Sequence, residues 1–336
     1  MNKIYFILFY FVGIKCSFEN ITEVIISDFN KKNSCLKFNM KKSVFLLGNK
    51  WKNMPDDISQ CQQYCKLVDN STMADIIIWH IHTEAEPKKS FMSQKLIAFG
   101  MEPKNLNGDN FLSKNVDFVS SFRLDFDIPF LYLDYNFIEK LFQLKIPTEE
   151  EFKKMGSVLF ISSNCYERER NQFVRRLGKI IHIDSRGSCN NNSLPLNGDW
   201  LTIEAQVFGK YKFYLGFEKD LNHDYVSEKF QTGFLINSVP IYRGSKRAFD
   251  FAPGENSLIF VDDFKTPEEL GAYLKTISSN YSQWKSYFSY REKAVSENTS
   301  IIAKWLNYVK LSQSGRDKGN LCRFCDSVCF FESANI

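Results

Sequence analysis

The densest group of residues able to do chemistry in this 336-residue chain lies between Lys210 and Gly244, KYKFYLGFEKDLNHDYVSEKFQTGFLINSVPIYRG. An apolar run from Tyr211 to Phe217 leads into a polar loop carrying Glu218 and Asp220. A helix opening near Asp224 places Glu228 and Lys229 on its first turn or two, and a second apolar run, Val239 to Arg243, ends on Gly244. Strand, loop, helix and strand in that order predict a βαβ unit, whose polar side chains converge where the strand ends and the helix begins. Unpaired amides and the positive helix end favour an anionic ligand there. Glu228 and Lys229 stand in the right place to grip a ribose and a phosphate.

Other elements must position that unit. In the first half, Val44 to Gly48, Ala74 to His80, Lys95 to Gly100 and Val116 to Phe122 are apolar runs of strand length, and Phe137 to Leu144 has helical spacing. The charged, breaker-flanked segment Pro147–Gly156 marks a domain boundary. Beyond it, strands are expected at Val158–Ser162, Ile180–Asp184 and Leu258–Asp262, with helices at Glu169–Lys179 and Pro267–Ile277. This alternation predicts an α/β protein with parallel sheets and crossover helices. The organisation read from it is a leader at 1–17, one domain at 18–150, a second at 151–310 and a Cys-rich tail at 311–336.

Composition sets outer limits. With 44% hydrophobic and 24% charged residues the chain is globular rather than disordered. The net charge of +4 is modest and the basic residues are scattered, so no nucleic-acid stripe is expected. The apolar run Ile4–Ile14 between Lys3 and Lys15 would span about 16 Å as a helix, roughly half a hydrocarbon core. That suits a signal peptide cleaved near Cys16–Phe18 better than a spanning anchor.

The Lys210–Gly244 stretch resembles the donor-binding signature of the α1,3-fucosyltransferases, glycosyltransferase family 10. It agrees at Tyr211, Lys212, Phe213, Tyr214, Leu215, Phe217, Glu218, Asp224, Tyr225, Val226, Glu228, Lys229, Val239, Pro240 and Gly244. It departs at Lys219-Asp220, where the family usually has Asn-Ser, and at Ser227, a conservative swap for Thr. The resemblance implies a GT-B fold, two Rossmann-like domains facing across a cleft, and inverting transfer of fucose from GDP-fucose. No obligatory cofactor is implied, and any manganese effect is auxiliary. It also implies a luminal Golgi setting, usually with a signal-anchor holding the enzyme to the membrane.

Such transfer needs a base for the acceptor hydroxyl, cations for the departing diphosphate and a fixed sugar. Glu102, in LIAFGMEPKNL, resembles the glutamate of the family's FESPxN motif and is the expected base; Glu84 and Glu86 are its rivals. The run from Ser163 to Cys189 resembles a second family segment at Ser163, Asn164, Cys165, Arg170, Val174, Leu177, Lys179, Ile180, Asp184, Gly187 and Cys189. Arg170 and Lys229 are therefore expected on the diphosphate, with Arg168 an alternative to Arg170. Glu228 is expected on a ribose or fucose hydroxyl and Tyr225 against the donor, with Ser163, Asn164, Lys212 and Glu218 nearby. Arg123, Asp125 and Asp127, in SFRLDFDIPF, form a secondary cleft element. Asp125-x-Asp127 is not read as a metal pair, and no metal site is expected. The acceptor is expected to be a GlcNAc hydroxyl of a glycan, with a slight preference for an N-glycan core. A protein hydroxyl, or a luminal nucleotide-sugar-binding protein without turnover, are the alternatives.

Nine cysteines remain to be placed. If Cys16 leaves with a signal, eight are left, an even number suited to an oxidising lumen. Cys322, Cys325 and Cys329, with Cys61 and Cys65, also have zinc-like spacing, but a luminal compartment favours disulfides. The resemblance suggests that the terminal CxxC staples back to the N-terminal domain and that Cys165 pairs with Cys189, fixing the domains' relative position. Sequons at Asn20, Asn70, Asn191, Asn280 and Asn298 fit that compartment.

Overall fold

The computed structural model describes residues 35, 39–48, 61–102, 114–133, 137–194, 196, 198, 200–221, 224–292 and 320–333. The predicted leader, Asn20, Asn298 and the 310/311 boundary lie outside these residues. Among the described residues eleven strands form two sheets in which every pairing is parallel. The first sheet runs β2(Cys65–Leu67)–β1(Lys42–Leu47)–β3(Ile76–His80)–β4(Lys95–Phe99)–β5(Phe118–Ser121)–β6(Ile128–Pro129). The second runs β11(Ile259–Phe260)–β10(Val239–Arg243)–β9(Tyr211–Phe217)–β7(Gly156–Phe160)–β8(Ile183–Ser185). Among the described residues no helix is long and apolar enough to cross a membrane.

Central strands are continuous apolar runs because both faces are covered. All five residues of β3 are buried, as are all but the second residue of β9. Helix α1 (Phe137–Gln143) and helix α2 (Glu149–Lys154) stand between the sheets in sequence. The charged stretch expected at the domain boundary forms α2, started by a capping box in which Thr148 and Glu151 satisfy each other's backbone amides. Helix α3 (Arg168–Leu177) follows β7 and α4 (Trp200–Val207) follows β8. Helix α5 (Glu228–Leu235) crosses from β9 to β10, and the short α6 (Ala248–Phe251) follows β10. Helix α7 (Pro267–Ser278) begins with Thr266 as cap and Pro267 in its first turn, and α8 (Tyr281–Ser286) is capped by Asn280.

Most expected boundaries shift by one or two residues, β7 for example forming at Gly156–Phe160 rather than Val158–Ser162, and three shifts bear on the site or its sheet. Helix α5 starts at Glu228 rather than near Asp224, β8 starts at Ile183 rather than Ile180, and the strand expected to reach Asp262 gives way to a 3-10 turn at Val261–Asp263.

The chain's last described element, α9 (Asn320–Ser333), packs in one core with Val44, Ile76, Ile97, Phe99 and Phe118 of the first sheet. Disulfides Cys61–Cys322 and Cys65–Cys325 bind it there, as the resemblance implied, and Cys35–Cys329 adds a bridge outside the predicted candidates. Cys165–Cys189 closes within the second sheet's region. None of the four bridges joins the two sheets. Cross-sheet fixing falls instead to noncovalent contacts around Asp224 and Tyr225, whose carboxylate accepts from Leu124 N at 3.2 Å and whose ring meets Phe122 edge-on at 5.1 Å.

Candidate active site

The site starts from the end of β9. Glu218 is 1% exposed, and its carboxylate accepts from Ser227 N at 2.8 Å, Ser227 Oγ at 2.7 Å and the Tyr242 hydroxyl at 3.1 Å. Ser227 is the N-cap of α5, so the buried carboxylate fixes where the helix begins. The packing tolerates no extra atom: a Cβ on Gly216 would lie 2.8 Å from Lys229 O, and one on Gly244 would lie 2.7 Å from Glu218 Cγ.

On that fixed first turn, Lys229 Nζ donates to Glu228 Oε1 at 2.7 Å and to Ser227 Oγ at 3.1 Å. Burial pulls the Lys229 pKa down, but the charges of Glu228 and Glu218 outweigh it and leave the ammonium more firmly protonated than usual. Burial pushes the Glu218 carboxyl up, opposed by Lys229. Arg170, on α3, approaches from the neighbouring strand end and lies within electrostatic reach of both Glu218 and Lys229. Two cations and a buried carboxylate therefore share one locus at the carboxyl ends of β7 and β9.

From the first sheet, Glu102 follows β4 and forms an ion pair with Lys219, the residue after Glu218. Glu102 is about half exposed and Lys219 only 22% exposed. Burial, followed by the charge of Lys229, holds the Lys219 pKa below the ordinary lysine value. The Tyr132 hydroxyl donates to Met101 O at 2.6 Å, tying down the backbone beside Glu102. Met101, a departure from the family motif, is 1% exposed in the first sheet's core. His80 and His82 lie close by with ring centroids 5.5 Å apart, and burial lowers both pKa values. Neither histidine nor Lys219 was singled out as a site residue from sequence; the His-x-His at the end of an apolar run was the available signal.

Other expected residues are placed differently. Lys212 is not brought to this group: its ammonium donates to Ser278 O at 2.8 Å and sits 4.2 Å from the Phe152 ring centroid. Tyr225, 2% exposed, packs on Phe122 and Tyr132 of the first sheet's side rather than lining an open donor surface. Glu218 is wholly engaged in internal hydrogen bonds. Arg170 is 2% exposed and donates to Ser162 Oγ at 2.9 Å, Asn164 O at 2.5 Å and Phe217 O at 3.4 Å, so its charge lies under the loop rather than at its surface. Ser163 and Asn164 are exposed on that loop, and Arg168 is exposed on α3.

Arg123 pairs with Asp125 at 2.5 Å, whereas Asp127 accepts from Val119 N at 2.8 Å; the two aspartates have separate tasks. Of the rival bases, Glu84 is exposed and Glu86 accepts from Asn115 at 3.4 Å. No group of three or more potential metal ligands occurs among the described residues. Asn70, Asn191 and Asn280 are all exposed. A cavity of about 620 Å³ near α7 and α8, lined by Phe264, Tyr273 and Tyr287, shares no residue with the site.

Residues 151–333, more than half of the chain, match the family described as glycosyltransferase family 10 (fucosyltransferase), C-terminal part. The chain belongs to glycosyltransferase family 10. Its relatives include GDP-fucose protein O-fucosyltransferase 3 of Gallus gallus, 31% identical over 45% of this chain and 33% of that protein. Another is α-(1,3)-fucosyltransferase B of Drosophila melanogaster, 34% identical over 46% of this chain and 36% of that protein. The family 10 chain thus matches little more than a third of the length of these curated relatives. The crystal structure of an α1,3-fucosyltransferase with GDP-fucose superimposes with a TM-score of 0.55, covering 79% of this chain and 90% of that one at 18% identity. The shared fold is GT-B, as expected.

Proposed function

We propose that this family 10 protein transfers fucose from GDP-fucose to an acceptor hydroxyl with inversion at the anomeric carbon. Glu102 takes the hydroxyl proton, Lys229 and the charge of Arg170 draw electron density onto the departing diphosphate, and Glu228 holds a donor hydroxyl. The Glu102–Lys219 ion pair carries this reading, because it sets a carboxylate from the first sheet against the donor-signature loop of the second. Attack opposite the leaving group needs one base facing the diphosphate cations, and positioning supplies much of the rate.

The names of the relatives favour two acceptor classes. A Ser or Thr hydroxyl of a folded protein agrees with the O-fucosyltransferase relatives. The second class is a GlcNAc hydroxyl of a glycan, N-glycan cores included, for which the support is the α-(1,3) linkage in the Drosophila relative's name. The setting proposed is an oxidising secretory lumen such as the Golgi, a reading that the four disulfides among the described residues support. The test is incubation of the purified protein with GDP-fucose and parallel panels of folded protein domains and GlcNAc-containing glycans. Transfer to one panel assigns the acceptor class; tight GDP binding with no transfer to either defeats the catalytic reading.

A further inference from the structure

We propose that Lys219 is a switching cation: with the donor site empty it holds Glu102 in an ion pair, and with a nucleoside diphosphate bound it turns to the phosphates beside Lys229 and frees the carboxylate for the acceptor. This rests on the reading of Glu102 as the base. Four observations carry it.

The backbone beside Lys219 is fixed, since Glu218 N donates to Arg243 O at 2.8 Å and the Glu218 side chain is locked at the start of α5. The four-carbon lysine stem is the part free to move. Its ammonium is 5.8 Å from the Tyr225 ring centroid, an aromatic face along which a cation can rest while it turns.

The destination is also present. Lys219 directly follows Glu218, whose carboxylate holds the Ser227 cap of α5, and it lies within electrostatic reach of Lys229, Glu228 and Asp220. A diphosphate brings more negative charge than one lysine balances. Arg170, 2% exposed, is spent on Ser162, Asn164 and Phe217. Among the described residues, Lys229 and Lys219, each 22% exposed, are two further cations at this locus, while Arg243 beside them pairs with Glu169 at 3.5 Å.

Leaving Glu102 is easy, because that carboxylate is 46% exposed and such ion pairs are weak. A charge-assisted bond to phosphate is the stronger partner. Before the donor arrives, the pair keeps Glu102 occupied. After it arrives, the base is available only with the reacting sugar in place.

The test is a double-mutant cycle read as GDP affinity, by calorimetry, on the full disulfide-bonded chain. K219Q is expected to weaken GDP binding about tenfold, and E102Q to strengthen it several-fold because the ammonium no longer has a carboxylate to leave. In the K219Q background, E102Q is expected to change GDP affinity by less than about twofold. K219R keeps the charge and is expected to stay within about threefold of wild type, which separates charge from folding. Wild-type GDP affinity in either single variant, or additive effects in the double variant, overturns the switch. Transfer assays judge the base separately. An active E102Q enzyme sinks the base and leaves the binding cycle to decide the exchange; an inactive E102Q enzyme with no coupling sinks only the switch.

Discussion

Ser227 donates both its amide, at 2.8 Å, and its hydroxyl, at 2.7 Å, to the carboxylate of Glu218 nine residues earlier. This short link sets the height of α5 relative to the end of β9, and with it the position of Lys229. Replacing Glu218 with Gln turns one accepting atom into a donor and orphans at least one buried hydrogen. The expected cost is about 2 kcal/mol, seen as an earlier midpoint in urea unfolding, together with weaker GDP binding. An unchanged midpoint would remove Glu218 from its positioning role.

Ser227→Ala removes the cap but keeps the amide. Helix α5 is expected to lose about 1 kcal/mol, less than in Glu218→Gln, because the buried carboxylate keeps its bonds from Ser227 N and Tyr242. Ser227→Thr is expected to restore stability. The ranking of the three variants by chemical denaturation is the check.

Glu102→Gln is expected to lower kcat at least about a hundredfold without weakening GDP binding. Steady-state transfer assays and calorimetry on the same preparation read the two quantities. Fucose transfer within a few-fold of wild type would show that another group takes the proton.

Much of this site was legible because its elements announce themselves locally. Tyr211–Phe217 and Val239–Arg243 are uninterrupted apolar runs, and both strands form with the predicted bounds. The start of α5 was misplaced because Asp224 and Ser227 are equally good caps in isolation. Tertiary contacts decide between them: Asp224 is taken by Arg247 Nε at 3.0 Å and by Leu124 N, leaving Ser227 at the helix end. Strand β2 has three residues, too few for any period to appear. Helix α9 was hidden by its cysteines, which read as staples although Leu321, Phe324, Cys325 and Val328 are spaced for one buried face. Lys219 looked like drift from a family pattern, and only its partner on the other sheet gives it meaning.

Asp326 offers a pH test away from the site. Its Oδ2 accepts from the Tyr64 hydroxyl at 3.0 Å, and burial raises its pKa to about 6. The folded state therefore holds this proton more tightly than the unfolded chain, whose aspartate has a reference value of 3.8. Stability from this group is full below that reference value and is lost as pH rises through about 6. Asp326→Asn is expected to flatten thermal stability across that window; a variant profile parallel to wild type would contradict it.

The three bridges to α9 close nearly the same long loop, so their contributions should not add. Serine substitution of Cys61 and Cys322 together leaves that loop closed by the other two bonds. It is expected to cost about 2 kcal/mol, while opening all three costs at least about 5 kcal/mol from chain entropy. Equal losses from each successive pair, measured by urea unfolding, would argue against this.

Because α9 is bonded into the core beside the first sheet, the second sheet's region is held at both of its ends by one body, like a panel on paired hinges. Bending that opens or shuts the gap is compatible with two attachments; free swivelling is not. A protease that nicks the backbone once between the sheets would therefore leave the fragments joined, and they would part on a gel only after a reducing agent is added.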